Sequence, residues 1–79
     1  MDIEKIIEDY VLEQFEIGDD PDFSRDIHLF DSGFVDSLGA TQIVLYVEKQ
    51  FSIEISQKDI TMYPMNTINE ISKVVKSKL

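Results

Sequence analysis

Asp31-Ser32-Gly33-Phe34-Val35-Asp36-Ser37-Leu38-Gly39 runs straight into Ala40-Thr41-Gln42-Ile43-Val44-Leu45-Tyr46-Val47-Glu48-Lys49-Gln50-Phe51, a turn-forming run followed by a strongly patterned segment. At about 100° per residue Ala40, Ile43, Val44, Val47 and Phe51 share one narrow face, the stripe of a helix packed on a core. Asp36 stands where an N-cap belongs, so the spacing predicts a helix over 37–51 with Ser37 in its first turn. Leu38, Gln42, Leu45 and Lys49 lie on nearly the opposite face. One exposed leucine needs no explanation. Two on one outward face, beside a serine at the helix start, leave two readings open: a docking surface for a partner protein, or a loop that covers Leu38. Tyr46 and Glu48 flank the two faces.

Working outward, Ile3, Ile6, Ile7, Tyr10, Val11 and Phe15 recur at steps of three and four, which predicts an amphipathic first helix that Gly18 ends. Asp2 and Glu4 suit its positive N-terminal end. The connection over 18–36 is long, and its Phe23, Ile27, Leu29, Phe30, Phe34 and Val35 are too apolar for a solvated linker. It is expected to lie across the helix ends as an ordered lid, with a short turn near 24–28. Beyond the patterned helix, Phe51-Ser52-Ile53-Glu54-Ile55 alternates like a strand but has no second strand to pair with. It reads as an extended connection with Phe51, Ile53 and Ile55 inward. Ser56-Gln57-Lys58-Asp59 has the spacing of a capped turn, giving a short helix to about Met62 that Pro64 stops. Thr67-Ile68-Asn69-Glu70 has the spacing of a capping box for a last helix carrying Ile68, Ile71, Val74, Val75 and Leu79. Lys73, Lys76 and Lys78 sit near its C-terminal end, where cations are favoured. The expected fold is all-α, a small four-helix bundle of three longer helices and one short one, forming a single domain over 1–79.

Composition narrows the function. The net charge is −9, and it is uneven: residues 1–36 hold twelve acids and two bases, residues 37–79 four acids and five bases. Nucleic acid is disfavoured as a partner, because phosphate backbones need Lys and Arg. The acidic half favours basic partners. With no cysteine there is neither a disulfide framework nor a thiol nucleophile. No apolar run approaches the ~20 residues of a membrane span, and no basic-then-apolar leader is seen, so a cytoplasmic protein is expected. The acidic patches lack the alternating acids, central glycine and closing glutamate of an EF-hand loop, and no metal site is assigned. His28, the one histidine, has no cluster around it and is read as structural or exposed.

Ser37 admits several readings from the residues alone: a plain N-terminal helix serine, a phosphorylation site, or a nucleophile. The nucleophile is disfavoured, since Val35 stands where the elbow glycine of a hydrolase belongs and no base partner is evident. No catalytic residue is assigned, and an enzyme in its own right is not expected.

Leu29-Phe30-Asp31-Ser32-Gly33-Phe34-Val35-Asp36-Ser37-Leu38 resembles the attachment site of the acyl carrier protein family, and the frame agrees over nearly the whole chain. That resemblance implies that Ser37 carries 4′-phosphopantetheine, covalently attached from coenzyme A, and that an acyl or aminoacyl group travels on the arm as a thioester. It further implies that Asp36 helps present the serine and that Leu38 contacts the arm or a partner. Leu38, Gln42, Leu45 and Glu48 become candidate partner-binding residues. The implied partners are a phosphopantetheinyl transferase, an acyl- or aminoacyl-activating ligase and downstream acyl-using enzymes, met by a monomeric carrier. Carriers of fatty acid synthesis commonly place acids after the Asp-Ser-Leu triplet, where Gly39, Ala40 and Thr41 stand here. The sequence is therefore more similar to stand-alone carriers loaded by an adenylating ligase, with the D-alanyl carriers of teichoic acid D-alanylation as the nearest example. A specialised secondary-metabolite or peptide carrier, or a carrier-like helical adaptor acting by protein binding alone, remain alternatives.

Overall fold

In the computed structural model, which describes residues 2–79 and leaves Met1 of the expected domain outside, every regular element is a helix. In order they are α1 (Ile3–Gln14), α2 (Ser37–Phe51), α3 (Gln57–Met62) and α4 (Ile68–Ser77). The bundle expected from the sequence is present. Ile7 and Val11 of α1, Ile43 and Val47 of α2, and Ile68, Ile71 and Val75 of α4 form the core, joined by Leu29 from the long connection. Each such side chain contributes about 1.5–3 kcal/mol through removal from water, which is why three stripes of so few residues suffice to close the bundle.

The long connection is an ordered cover, as its apolar content predicts. Leu29 and Val35 are buried, and Phe23, Ile27, Phe30 and Phe34 pack against the core. The predicted turn near 24–28 is closed by the Ile27 N–H donating to the Ser24 carbonyl at 3.3 Å. Backbone bonds tie the segment down at both flanks: Leu29 N–H donates to Asn66 O at 2.8 Å, and Asn69 N–H to Arg25 O at 3.1 Å. The Arg25 guanidinium meets the Glu8 carboxylate at 3.3 Å, fastening the same segment to α1.

Three expectations need correction. First, α1 ends at Gln14, four residues before Gly18. Glu16 already sits in the left-handed region at φ +56, and Ile17 N–H returns to Leu12 O at 2.9 Å. Phe15 is the cap of the helix: its N–H still reaches Val11 O at 3.1 Å, and its ring packs against the core. Second, Leu79 lies beyond α4 and is exposed, so it is no part of the core stripe. Third, Thr67 caps α4 by accepting from Glu70 N–H at 3.0 Å, but the Glu70 carboxylate reaches back to Asn66 N–H at 3.1 Å instead of closing the box on Thr67.

Within α4, Ser72 is buried on the core side and satisfies its hydroxyl by donating to the Ile68 carbonyl at 2.8 Å. The short α3 is held differently. It contributes no buried residue, and its capping box is complete between Ser56 and Asp59. Lys78, just past α4, donates to the Asp59 carboxylate at 2.8 Å. That ammonium, helped by the Ser56 amide and hydroxyl, lowers the Asp59 carboxyl to about 2. A second pair joins the ends of α1 and α4, where Lys76 donates to Glu4 and holds that carboxyl below the usual range.

Candidate functional site

The site is built on the mouth of α2. Asp36 adopts extended backbone, and its carboxylate accepts from Gly39 N–H at 2.7 Å, while its carbonyl accepts from Ala40 N–H at 3.0 Å. This is the expected N-cap, satisfying one of the orphan amides of the first turn. The cap leaves the amides of Ser37 and Leu38 directed out of the helix mouth. Ser37 is exposed, as the first residue of the helix. Gly33, with φ +85, makes the turn that brings the chain to this position, a conformation that favours glycine.

Leu38 is 72% exposed and Leu45 60% exposed, and Gln42 and Lys49 between and beyond them are exposed too. The loop does not cover Leu38. A strip of two leucines and a glutamine therefore runs from Ser37 along the outer face of α2. Glu48 differs from the others: it is half-buried, and its carboxylate accepts from Ile55 N–H at 2.8 Å, bracing the exit of α2. His28 lies in its own turn, where Nδ1 accepts from Asp31 N–H at 3.0 Å. Among the described residues no group of three or more His, Asp or Glu side chains is arranged to hold a metal. Among the described residues no helix is long and apolar enough to cross a membrane.

Two features of the site have no simple signature in the sequence. A solvent-open groove of about 360 Å³ lies on the other side of α2's first turns, lined by Ala40, Thr41 and Val44 of α2 with Ile60 of α3, Met65 and Phe30. It is assembled from four separate segments, so no local pattern announces it. The other is Gly39, buried against α1's end: a Cβ placed there would stand 2.6 Å from the Phe15 Cε1 and 2.7 Å from the Val35 Cγ1. The available signal was a glycine inside a helix, which costs about 1 kcal/mol relative to alanine and so needs a reason.

The comparisons with known proteins agree with this geometry. Residues 5–75 match the family described as "Phosphopantetheine attachment site". The D-alanyl carrier protein of Lactobacillus delbrueckii subsp. bulgaricus is 32% identical over 76 residues, covering 96% of this chain and 92% of that protein. The D-alanyl carrier protein of Streptococcus uberis is 29% identical over 72 residues, 89% of this chain and 91% of that protein. That of Lacticaseibacillus casei is 32% identical over 54 residues, 68% of this chain and 67% of that protein. No solved structure matches at a comparable level.

Proposed function

The chain belongs to the family built around a phosphopantetheine attachment site and is a carrier protein with that arm covalently bound, and we propose that Ser37 is its attachment residue and D-alanine its cargo. The observation that carries the first half is the exposed Ser37 at the capped mouth of a 15-residue helix. The residues present fit the group. A phosphodiester on Ser37 would place negative charge at the positive end of α2, facing the outward amides of Ser37 and Leu38. The bound arm supplies the thiol that the chain itself lacks, and an acyl group is held on it as a thioester.

Ser37 needs exposure and no activating base, because a separate transferase performs the attachment. Its Oγ attacks the phosphorus of coenzyme A that bears the pantetheine; the anhydride P–O bond breaks, adenosine 3′,5′-bisphosphate leaves, and the serine proton passes to the transferase. Asp36 fixes the first turn through Gly39 N–H, so that Ser37 is presented at a set angle. Leu38, Gln42 and Leu45 form the surface that partner enzymes cover, with Glu48 at its edge bracing the helix. The groove beside Ala40, Thr41 and Val44 is open and apolar enough to lie along the middle of the arm. The chain performs no catalysis of its own and works in the cytoplasm with a D-alanine-activating ligase.

The test is made in two steps on the full chain. Incubation with coenzyme A and a broad-specificity phosphopantetheinyl transferase is expected to add one arm per chain and none to Ser37→Ala. Subsequent incubation with D-alanine, ATP and a D-alanyl ligase is expected to add one D-alanyl group. Equal modification of Ser37→Ala overturns the site; an armed protein that takes another acyl group and refuses D-alanine overturns the cargo.

A further inference from the structure

We propose that Gly39 and the Phe15 ring form a positioning contact that sets the tilt of α2's first turn, and hence the direction in which Ser37 faces the transferase. The inference rests on Ser37 as the attachment residue. Gly39 is buried, two residues after Ser37, on the inward side of the same turn. It has ordinary helical backbone and does not share the positive φ of Gly18 and Gly33, so its lack of a side chain answers a steric demand. A Cβ at this position would lie 2.6 and 3.1 Å from two atoms of the Phe15 ring and 2.7 Å from Val35. Carbon atoms pack at about 3.5–4.0 Å, so a methyl group needs roughly an ångström that the neighbours must give or the helix must take.

The neighbours are poorly placed to give it. The Phe15 ring stands edge-on to Tyr10, with centroids 6.4 Å apart, and Tyr10 stacks on Tyr46 of α2 at 3.8 Å with planes 11° apart. The ring is thus backed by an aromatic chain that returns to α2 about two turns beyond Gly39, at Tyr46. Val35, near the end of the long connection, is itself buried. From the front, the Asp36 carboxylate grips Gly39 N–H at 2.7 Å. Ser37 sits between these two residues, on a turn clasped by the cap on one side and by the ring on the other. The end of α1 supplies the ring: Phe15, the helix cap, keeps its N–H on Val11 O at 3.1 Å, and the chain turns away only at left-handed Glu16.

An added methyl at position 39 therefore moves the turn, and the Ser37 oxygen with it, relative to the docking strip. Attack on phosphorus tolerates little displacement, so Gly39→Ala is expected to slow attachment about 10-fold or more, mostly in kcat, with KM for the carrier within about twofold. Shrinking the ring in Phe15→Leu/Gly39→Ala is expected to restore the rate to within about threefold of wild type, since two of the three nearest contacts of the added methyl are to that ring. Attachment is followed by intact mass against time with coenzyme A and a phosphopantetheinyl transferase, and helicity by circular dichroism on the same samples.

Wild-type attachment by Gly39→Ala overturns the proposal. So does a double variant that is folded yet as slow as the single one. If Gly39→Ala alone fails to fold, the double variant decides: recovery of both fold and rate supports the contact, and recovery of fold without rate overturns it. Ser37→Ala, run alongside, keeps the two ideas separate. Its modification defeats the attachment site, whereas an inert Ser37→Ala beside a normally modified Gly39→Ala defeats the positioning contact alone.

Discussion

On one face of α2, Ile43 and Val47 are 2% and 0% exposed; on the other, Leu38 and Leu45 are 72% and 60% exposed. The residues are of one chemical kind, and the helix that bears them is continuous. The inner pair meets α1 and α4 and excludes water, which stabilises the bundle. The outer pair is mostly in water, on the face that runs from the serine at the helix mouth. Hydrophobicity spent outward adds little to the isolated fold, which supports the proposal that a partner protein covers this face. On that proposal a single helix divides stability from recognition across its width.

Substitutions on the two faces should separate accordingly. The largest effect is expected from Ile43→Ala, which should cost about 2–5 kcal/mol in urea unfolding because it empties a packed position. A loss below 1 kcal/mol would mean that the inner face is not the core. Next comes the helix mouth, which belongs to neither face: Asp36→Ala should cost about 0.5–2 kcal/mol by removing the N-cap. Intact helicity with unchanged stability would show the cap to be ornamental.

A smaller, pH-dependent effect is expected away from α2. Asp59 titrates at about 2 when folded, below its ordinary 3.8, so its pairing with Lys78 contributes above roughly pH 4 and is lost as pH falls through the folded value. The same sign holds for Glu4 with Lys76, whose carboxyl is also lowered. The Tm difference between wild type and Lys78→Ala should therefore shrink as pH is lowered from about 4 to 2. A difference that stays constant across that window would remove the pair from any role in fixing α3. The smallest effect on stability belongs to the outer face: Leu38→Ala and Leu45→Ala should each lie within about 0.5 kcal/mol of wild type. Their effect should appear in the rate of loading by partner enzymes. A loss comparable to that of Ile43→Ala would erase the contrast between the faces.

Much of this was legible in the chain because it is encoded locally. The bounds of α2, the Asp36, Ser56 and Thr67 caps and the two faces follow from neighbours three and four residues apart. What escaped depends on distant partners. Gly18 looked like the end of α1, yet the helix stops at Gln14, where left-handed Glu16 lets Ile17 N–H turn back onto Leu12 O. Leu79 had the right spacing for the α4 stripe, but the helix ends at Ser77 and the neighbouring Lys78 reaches across to Asp59. Glu48 sat beside the outer face in the sequence pattern, whereas the fold turns its carboxylate to the Ile55 amide. The groove needed the fold itself, since Phe30, Val44, Ile60 and Met65 come together only when the loop, α2 and α3 are assembled.

The central claim is that Ser37 stands outward to receive an arm that the chain does not encode. The most direct measurement is tandem mass spectrometry of the protein purified from the cells that encode it, with the modified residue mapped. The account predicts a single phosphopantetheine on the peptide containing Ser37, part of it bearing an acyl or aminoacyl group. An unmodified Ser37 under conditions where the pathway is active, or an arm mapped to another residue, would contradict it.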